Sequence, residues 1–447
     1  MSMKELSREI SITTATAVVI SNCIGSGIFT TSGFIARDVG SPAWLLALWV
    51  LGGMLALAGA LSYAEMGAAM PEAGGEYVYL REAYGPLVGY LSGWMSFFIG
   101  FSGAIGLAVI GFVAYLQHFV PALDPTKVAG QMAALATLWA LTAVHAAGVG
   151  PGGLLQRVLT VGKVAAIGVL VMAGFALGHG HAGNFESSGP AEGSAAISLI
   201  FVMFSYSGWN AAGYIAGEMR DPQRSIPASL LAGTAVVTLL YLALNALYLY
   251  ALPIGEMRGE PIVPIAEKAS VALFGPVATD IMTAIIALAI LGAASAMVFA
   301  GPRVYWAMAV DGVFPRSLAV IHPSMGTPAR AIILQSAWTS VLILSGTFEK
   351  LMVWAGFALT VFLALAVAAV IVLRIKRPEL PRPFRMPGYP WLPAAYVGFA
   401  IWIAAFTLWG RPKEALLGIL TVAAGIPFYL LRRKTEPLPQ GGTDARR

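Results

Sequence analysis

The sequence predicts an all-α membrane protein of twelve transmembrane helices, built as a five-plus-five inverted repeat with helices 1 and 6 unwound at mid-membrane. Three observations predict it. The chain is 58% hydrophobic and only 11% charged. Apolar windows long enough to cross a bilayer recur along it, and two of them carry glycine and serine at their centres.

An average soluble domain is about 25% charged, so this composition belongs in lipid. A span needs about 20 mostly apolar residues to cross a hydrocarbon core roughly 30 Å thick. Twelve such windows occur, at 12–36, 42–64, 87–117, 128–149, 154–177, 195–217, 228–252, 279–309, 331–346, 351–373, 391–410 and 415–431. The window at 331 is short and carries Gln335 and Ser336. The longest connections, 65–86, 253–278 and 310–330, are too small for a soluble domain, so function is expected among the helices. The first window is too long for a signal-peptide core and no small-residue cleavage site follows it, so it is expected to be a retained span. Cys23 is the only cysteine, which excludes an intrachain disulfide and a multi-cysteine metal cluster. Neither a cofactor nor a metal is expected.

Charge sets the orientation. With a cytoplasmic N-terminus and twelve spans, 19 Lys and Arg fall on the cytoplasmic side, from Lys4 and Arg8 through Arg81, Arg157, Arg220, Arg224, Arg303, Arg316 and Arg330 to the basic runs after Arg374 and Arg432. Seven fall outside, namely Arg37, Lys127, Arg258, Lys268, Lys350, Arg411 and Lys413, and Lys163 lies inside a span. That bias is the one the positive-inside rule expects, and one helix more or fewer would reverse it downstream. It places both termini in the cytoplasm and accounts for the net charge of +5 without nucleic acid as a partner. The basic tail reads as a lipid-headgroup anchor.

Helix 1 contains Cys23-Ile24-Gly25-Ser26-Gly27-Ile28-Phe29 and helix 6 contains Phe204-Ser205-Tyr206-Ser207-Gly208-Trp209-Asn210. Glycine costs roughly 1 kcal/mol relative to alanine in a helix interior. Taken singly, either segment could serve only close helix packing. Helix 6, however, opens the second half of a five-plus-five repeat, and glycine-interrupted segments at matching positions of two halves point to a transporter binding site. An unwound stretch leaves N–H groups free at the start of the next half-helix and carbonyls free at the end of the preceding one. A carboxylate suits the first and an ammonium group the second.

At these residues the chain resembles the amino acid, polyamine and organocation transporter superfamily, and in particular bacterial relatives of the L-type amino acid exchangers. The resemblance runs over nearly the whole chain. It is carried by Gly25 to Phe29, by Tyr63-Ala64-Glu65-Met66-Gly67 continuing through Pro71, Gly74-Gly75-Glu76-Tyr77 and Tyr84-Gly85, and by Phe204 to Asn210 followed by Gly217-Glu218-Met219, Asp221-Pro222, Arg224 and Pro227. It implies that the substrate carboxylate meets the backbone N–H groups of Ser26 and Gly27, in the unwound segment with Ile24 and Gly25. It implies that the amine meets the carbonyls of Cys23, Phe204 and Ser207. Phe204 resembles the aromatic gate over the substrate, Trp209 stands beside Gly208 as a second gating candidate, and Asn210 resembles a polar neighbour of the site. Where the L-type exchangers usually carry two glycines before the tryptophan, this chain has Ser207-Gly208, whose extra hydroxyl would narrow the pocket or bond the substrate.

Lys163 sits about nine residues into the fifth window, roughly 14 Å from its start at 1.5 Å per residue. An ionisable group at such depth is a functional hypothesis by default. The plainer alternatives are a lysine snorkelling to the interface or a structural bond to backbone carbonyls. Burial disfavours a charged amine, which makes the group a candidate to load and release a proton. The resemblance implies that it replaces a sodium ion bridging helices 1 and 8 in sodium-coupled relatives, and hence sodium independence.

No acid is expected at mid-membrane, which favours neutral over cationic substrates. Glu218, Arg220, Asp221, Arg224 and Arg303 form a candidate cytoplasmic gate, though exposed ion pairs are worth under about 1 kcal/mol. His179 and His181 lie in a glycine-rich outer loop and do not make a metal site. His145, near a window end, reads as interfacial. The tryptophans at 94, 306, 391 and 409 read as ordinary membrane residues.

These readings divide the chain into a first repeat at 1–180, a second at 190–375, peripheral helices at 388–432 and a cytoplasmic tail at 433–447. The expected function is alternating-access transport, as sodium-independent exchange of neutral L-amino acids. The alternative is a proton-coupled symporter, with cationic amino acids or amines among its substrates. The expected partners are the amino acid, the bilayer and, in the alternative, protons; an accessory subunit is left open. A channel would want a ring of carbonyls or charges along a pore, and an enzyme a cluster of acids, histidines or a nucleophile. The sequence offers neither.

Overall fold

The computed structural model describes residues 6–258, 265–345, 348–410 and 412–435. Among them the regular elements are helices, with one isolated parallel bridge between Ile10 and Met219. In chain order they are α1 (Ile12–Cys23), α2 (Gly27–Val39), α3 (Pro42–Ala69), α4 (Glu76–Tyr84), α5 (Pro86–Met95), α6 (Phe101–Leu116), α7 (Val128–Ala146), α8 (Val149–Leu177), α9 (Ala195–Tyr206) and α10 (Ala211–Tyr214). There follow α11 (Pro222–Ala251), α12 (Ile254–Met257), α13 (Ile265–Phe274), α14 (Ala278–Ala300), α15 (Pro302–Val310), α16 (Ala329–Ser345), α17 (Phe348–Lys376), α18 (Trp391–Gly410) and α19 (Pro412–Thr435).

Nine helices among the described residues are long and apolar enough to cross a bilayer, and α1 with α2, bent by 41° at their break, pass the same test together. The short apolar helices α9 and α16 occupy the sixth and ninth windows. A π-helical turn at Ser96–Gly100 joins α5 to α6 in one continuous span.

Punctuation residues set the boundaries. The Ser11 hydroxyl accepts from the Thr14 N–H to start α1, as an N-cap does. Gly40 takes a left-handed φ of 58° to end α2, and proline opens α3, α5 and α11, where its missing N–H costs nothing.

The broken pair lies at the centre. α1 packs on α8, α11 and α14, while α2 packs on α9, and α3 on α9 and α11. α18 and α19 pack outside, on α17, α3 and α5.

Two expectations change. His145 is not interfacial: it is fully buried, its Nε2 lies 2.9 Å from Ser295 Oγ, and its ring meets Phe299. The neighbouring Gly152 makes room, since a Cβ there would come within 2.7 Å of His145 Nδ1. Lys163 lies deeper than expected, because α8 starts at Val149 rather than 154. The lysine stands about 21 Å along its helix at 1.5 Å per residue. Residues 436–447, most of the expected tail, lie outside the described residues.

Candidate functional site at two helix breaks

α1 ends at Cys23 and α2 begins at Gly27, so Ile24, Gly25 and Ser26 form an irregular link. The first amides of α2 have no partner within the helix and sit at its positive end. Ser26 is exposed and Gly25 half-buried. Gly27 is buried for a packing reason: a Cβ there would lie 2.8 Å from Ser205 Oγ and 3.1 Å from Ser205 Cα. A Cβ on Gly25 would meet only Ala293 Cβ, at 3.9 Å. The two glycines therefore do different things, one joining α2 to α9 and one leaving space open.

The second break runs from Ser207 to Asn210 between α9 and α10. Gly208 turns the chain at φ 106°, a conformation L side chains avoid, and a Cβ there would come within 2.7 Å of the Asn22 carbonyl oxygen. Asn22 Nδ2 in turn donates to the Gly208 carbonyl at 3.2 Å. The last turn of α1 touches the second break.

Exposure divides the second break sharply. Phe204 is 51% exposed and Ser207 is exposed, whereas Trp209, Ala211, Ala212, Ile215 and Ala216 are at or below 1%. Ser26, Phe204 and Ser207 are thus the exposed residues of the two breaks, while the chain beyond Gly208 is buried. Trp209 turns into α3, edge-on to Tyr63 at 4.9 Å and filling the space that Gly59 leaves.

Two carbonyls assigned to the substrate amine already hold protein donors. The Cys23 carbonyl accepts from Gly25 N at 2.9 Å and from the Tyr241 hydroxyl at 2.8 Å. The Phe204 carbonyl accepts from the N–H of Ser207 at 3.1 Å and from its hydroxyl at 2.7 Å. The hydroxyl that distinguishes Ser207 from glycine folds back on its own chain.

Tyr241, on α11, was not found from the sequence. Its hydroxyl lies 2.8 Å from both Cys23 O and Ser205 O, so one side chain spans the ends of α1 and α9. One of three tyrosines in a 30-residue apolar helix, it carries no signal of this.

Lys163, 0% exposed, donates to the carbonyls of Ser21 at 3.3 Å, Ile24 at 3.0 Å and Ala289 at 2.8 Å. An ammonium has three N–H donors and no acceptor, and three carbonyls match it. Gly292 gives it room, since a Cβ there would lie 2.7 Å from Nζ. The lysine joins α8 to the first break and to α14.

Among the candidate gate residues only one pair is buried. Arg303 Nε and the second guanidinium nitrogen meet Glu218 Oε1 and Oε2 at 2.8 and 3.0 Å, both side chains 0% exposed. This corrects the expectation of a weak exposed pair: Arg303 also donates to the Phe299 carbonyl and stacks on its ring. Asp221 and Arg224 remain exposed at 4.0 Å. Ile10 pairs with Glu218 and Arg220 through backbone bonds of 2.8 and 2.9 Å, stitching the N-terminal segment across this end. No group of three or more metal-ligating side chains occurs among the described residues.

Two interrupted helices in contact inside an apolar bundle, with a buried lysine at one break, are the arrangement of a secondary transporter. The chain belongs to the amino acid permease family, which it matches over residues 10–422, and so to the amino acid, polyamine and organocation superfamily. It is 31% identical to the serine/threonine exchanger SteT of Bacillus subtilis over 440 residues, covering 96% of this chain and 98% of that one. It is 29% identical to the human large neutral amino acids transporter small subunit 2 over 441 residues, 95% of this chain and 80% of that one. With mouse Asc-type amino acid transporter 1 it shares 29% identity over 437 residues, 95% of this chain and 81% of the other. The protein is a multi-pass membrane transporter of amino acids, not an enzyme.

Proposed function

We propose that the protein exchanges neutral L-amino acids across the membrane by alternating access, without sodium, with the amino acid head held between the two breaks. The observation that carries this reading is the contact of the last turn of α1 with the second break, where Asn22 and Gly208 touch, together with the exposure of Ser26 and Ser207. The carboxylate takes the free amides of Ser26 and Gly27, with Ile24 and Gly25 lining its approach. The amine approaches the carbonyl ends at Cys23, Phe204 and Ser207, sharing the first with Tyr241 or displacing it. Gly208 and Asn210 complete the site, Phe204 covers it and Trp209 holds the second break to α3.

The bundle is twelve spans, α1 with α2 and α9 with α10 each being one span unwound at mid-membrane. The inverted repeats run over 1–180 and 190–375, with 388–432 peripheral and both termini cytoplasmic, as the basic bias requires. In that orientation the exposed Phe204 and Ser207 face outside, and the buried segment from Trp209 through Glu218 and Arg303 closes the cytoplasmic side. Lys163 stands where a sodium ion would otherwise bridge the first break and α14. The names of the relatives, large neutral amino acids and serine/threonine exchange, support the neutral substrate class and the exchange mode.

The test is uptake of labelled L-leucine, L-serine and L-arginine into proteoliposomes. Leucine or serine uptake should accelerate when the lumen is preloaded with unlabelled neutral amino acid and ignore a sodium gradient. Indifference to preloading combined with stimulation by a proton gradient would favour the symport alternative, with arginine uptake its signature.

A further inference from the structure

The motif Gly74-Gly75-Glu76-Tyr77 is not used by the transport reading, yet it buries an acid. Glu76 opens α4, outside the spans, and is 6% exposed. The Tyr63 hydroxyl of α3 donates to Glu76 Oε2 at 3.1 Å. The hydroxyls of Tyr214 on α10 and Ser96 in the π-helical turn stand beside the carboxyl, with Tyr79 of α4 and Tyr396 of α18 also near it. The ionisable groups facing it are thus tyrosines, which titrate near 10, and no Lys or Arg is among them in the described residues. Burial without a cation holds the Glu76 carboxyl above the usual carboxylate range.

This cage is continuous with the second break. Asn210 Nδ2 lies 2.9 Å from the Tyr214 hydroxyl. Gly75 lets Tyr214 come this close, since a Cβ there would lie 2.7 Å from its ring. The relay runs Glu76, Tyr214, Asn210.

A tyrosine hydroxyl has one proton to donate. An ionised Glu76 only accepts, so Tyr214 gives it that proton and accepts from Asn210 Nδ2, which leaves Asn210 Oδ1 to offer elsewhere. A neutral Glu76 can donate to Tyr214, whose proton then turns to Asn210 Oδ1 and leaves Nδ2 to offer. Each proton stays on its own residue; the hydrogen bonds reverse direction and the Asn210 amide turns over, bringing Oδ1 to where Nδ2 stood.

We propose that Glu76 is a proton-sensitive positioning residue of the site, whose protonation decides, through Tyr214, whether Asn210 presents its oxygen or its N–H to the bound amino acid. The inference rests on reading Asn210 as a site residue.

The test is equilibrium binding of labelled L-serine and L-leucine to the purified full-length protein between about pH 5 and pH 9, a range that brackets a raised carboxylate and stays below tyrosine. Affinity should change by about fivefold across one protonation step, the effect of one hydrogen bond gained or lost. Glu76→Gln, which both accepts and donates like the neutral acid, should hold the low-pH affinity at every pH, and Tyr214→Phe should also be flat. Tyr63→Phe removes a donor to the ionised form and should move the midpoint to higher pH, a readout that does not need the Gln variant to fold. A flat parent profile, a Glu76→Gln profile parallel to the parent, or an unmoved midpoint in Tyr63→Phe overturns the proposal. Asn210→Ala separates the two readings: weakened binding with a flat parent profile sinks the relay alone, and unweakened binding sinks the site assignment and the relay together.

Discussion

Lys163 Nζ lies 3.0 Å from the carbonyl of Ile24 and 2.8 Å from that of Ala289, so one side chain of α8 holds the first break against α14. Removing the amine strands carbonyls that have no other route to water, at about 1–3 kcal/mol for each buried group left unpaired. Lys163→Met should therefore lower the thermal midpoint by several degrees and cut exchange by at least about tenfold. Parental exchange in this variant, measured in proteoliposomes, would show that the tie is dispensable.

The glycines of the first break should separate on mutation. Gly27→Ala forces a Cβ to within 3.1 Å of backbone at Ser205 and should cost stability, on the order of the 1–3 kcal/mol of an overpacked core. Gly25→Ala meets nothing closer than 3.9 Å and should fold normally while obstructing the substrate. Melting curves beside exchange rates check the pair; a Gly25→Ala protein with parental transport would remove Gly25 from the site.

Tyr241→Phe leaves the ring packing against Trp49 and Tyr206 and removes only the hydroxyl between Cys23 O and Ser205 O. One hydrogen bond of about 0.5–1.5 kcal/mol corresponds to about two- to thirteenfold in affinity. Amino acid binding should weaken within that range, as read by equilibrium binding. Tighter binding would mean that the hydroxyl competes with the substrate amine instead of shaping its acceptor.

In the proposed arrangement the buried pair of Arg303 and Glu218 closes the end of the bundle beyond the second break. Breaking a buried pair on one side costs about 3–5 kcal/mol, so Arg303→Met should populate a state open at that end. Ala212, fully buried, reports on it: Ala212→Cys should be inert toward an impermeant thiol reagent in the parent background and react once Arg303→Met is added. Equal labelling in both backgrounds would take the pair out of the closure.

Much of the helical layout was legible in the sequence, because apolar length is additive along the chain. All twelve windows coincide with helices or broken helices, even the short one with Gln335 and Ser336, which are buried in α16. The two breaks were legible as glycine patterns. What was not legible depends on partners distant in sequence. Tyr241 bridges residues 218 and 36 positions away, and Glu218 meets Arg303 across 85. His145 became a core residue only through Ser295 and Gly152, and the fold-back of the Ser207 hydroxyl on Phe204 depends on the turn it sits in. The close packing of Gly27 on Ser205 was likewise not legible.

The central claim is that the two breaks read the head of an amino acid. Its most direct test is competition against labelled L-leucine, in sodium-free buffer, by L-leucine, leucinamide and N-acetyl-leucine, which carry both charged groups, the amine alone and the carboxylate alone. Leucine should displace the label, and each analogue should fail to do so at concentrations where leucine saturates. Displacement by either analogue as effective as that by leucine would contradict a site built on the amides of Ser26 and Gly27 and the carbonyl ends at Cys23, Phe204 and Ser207.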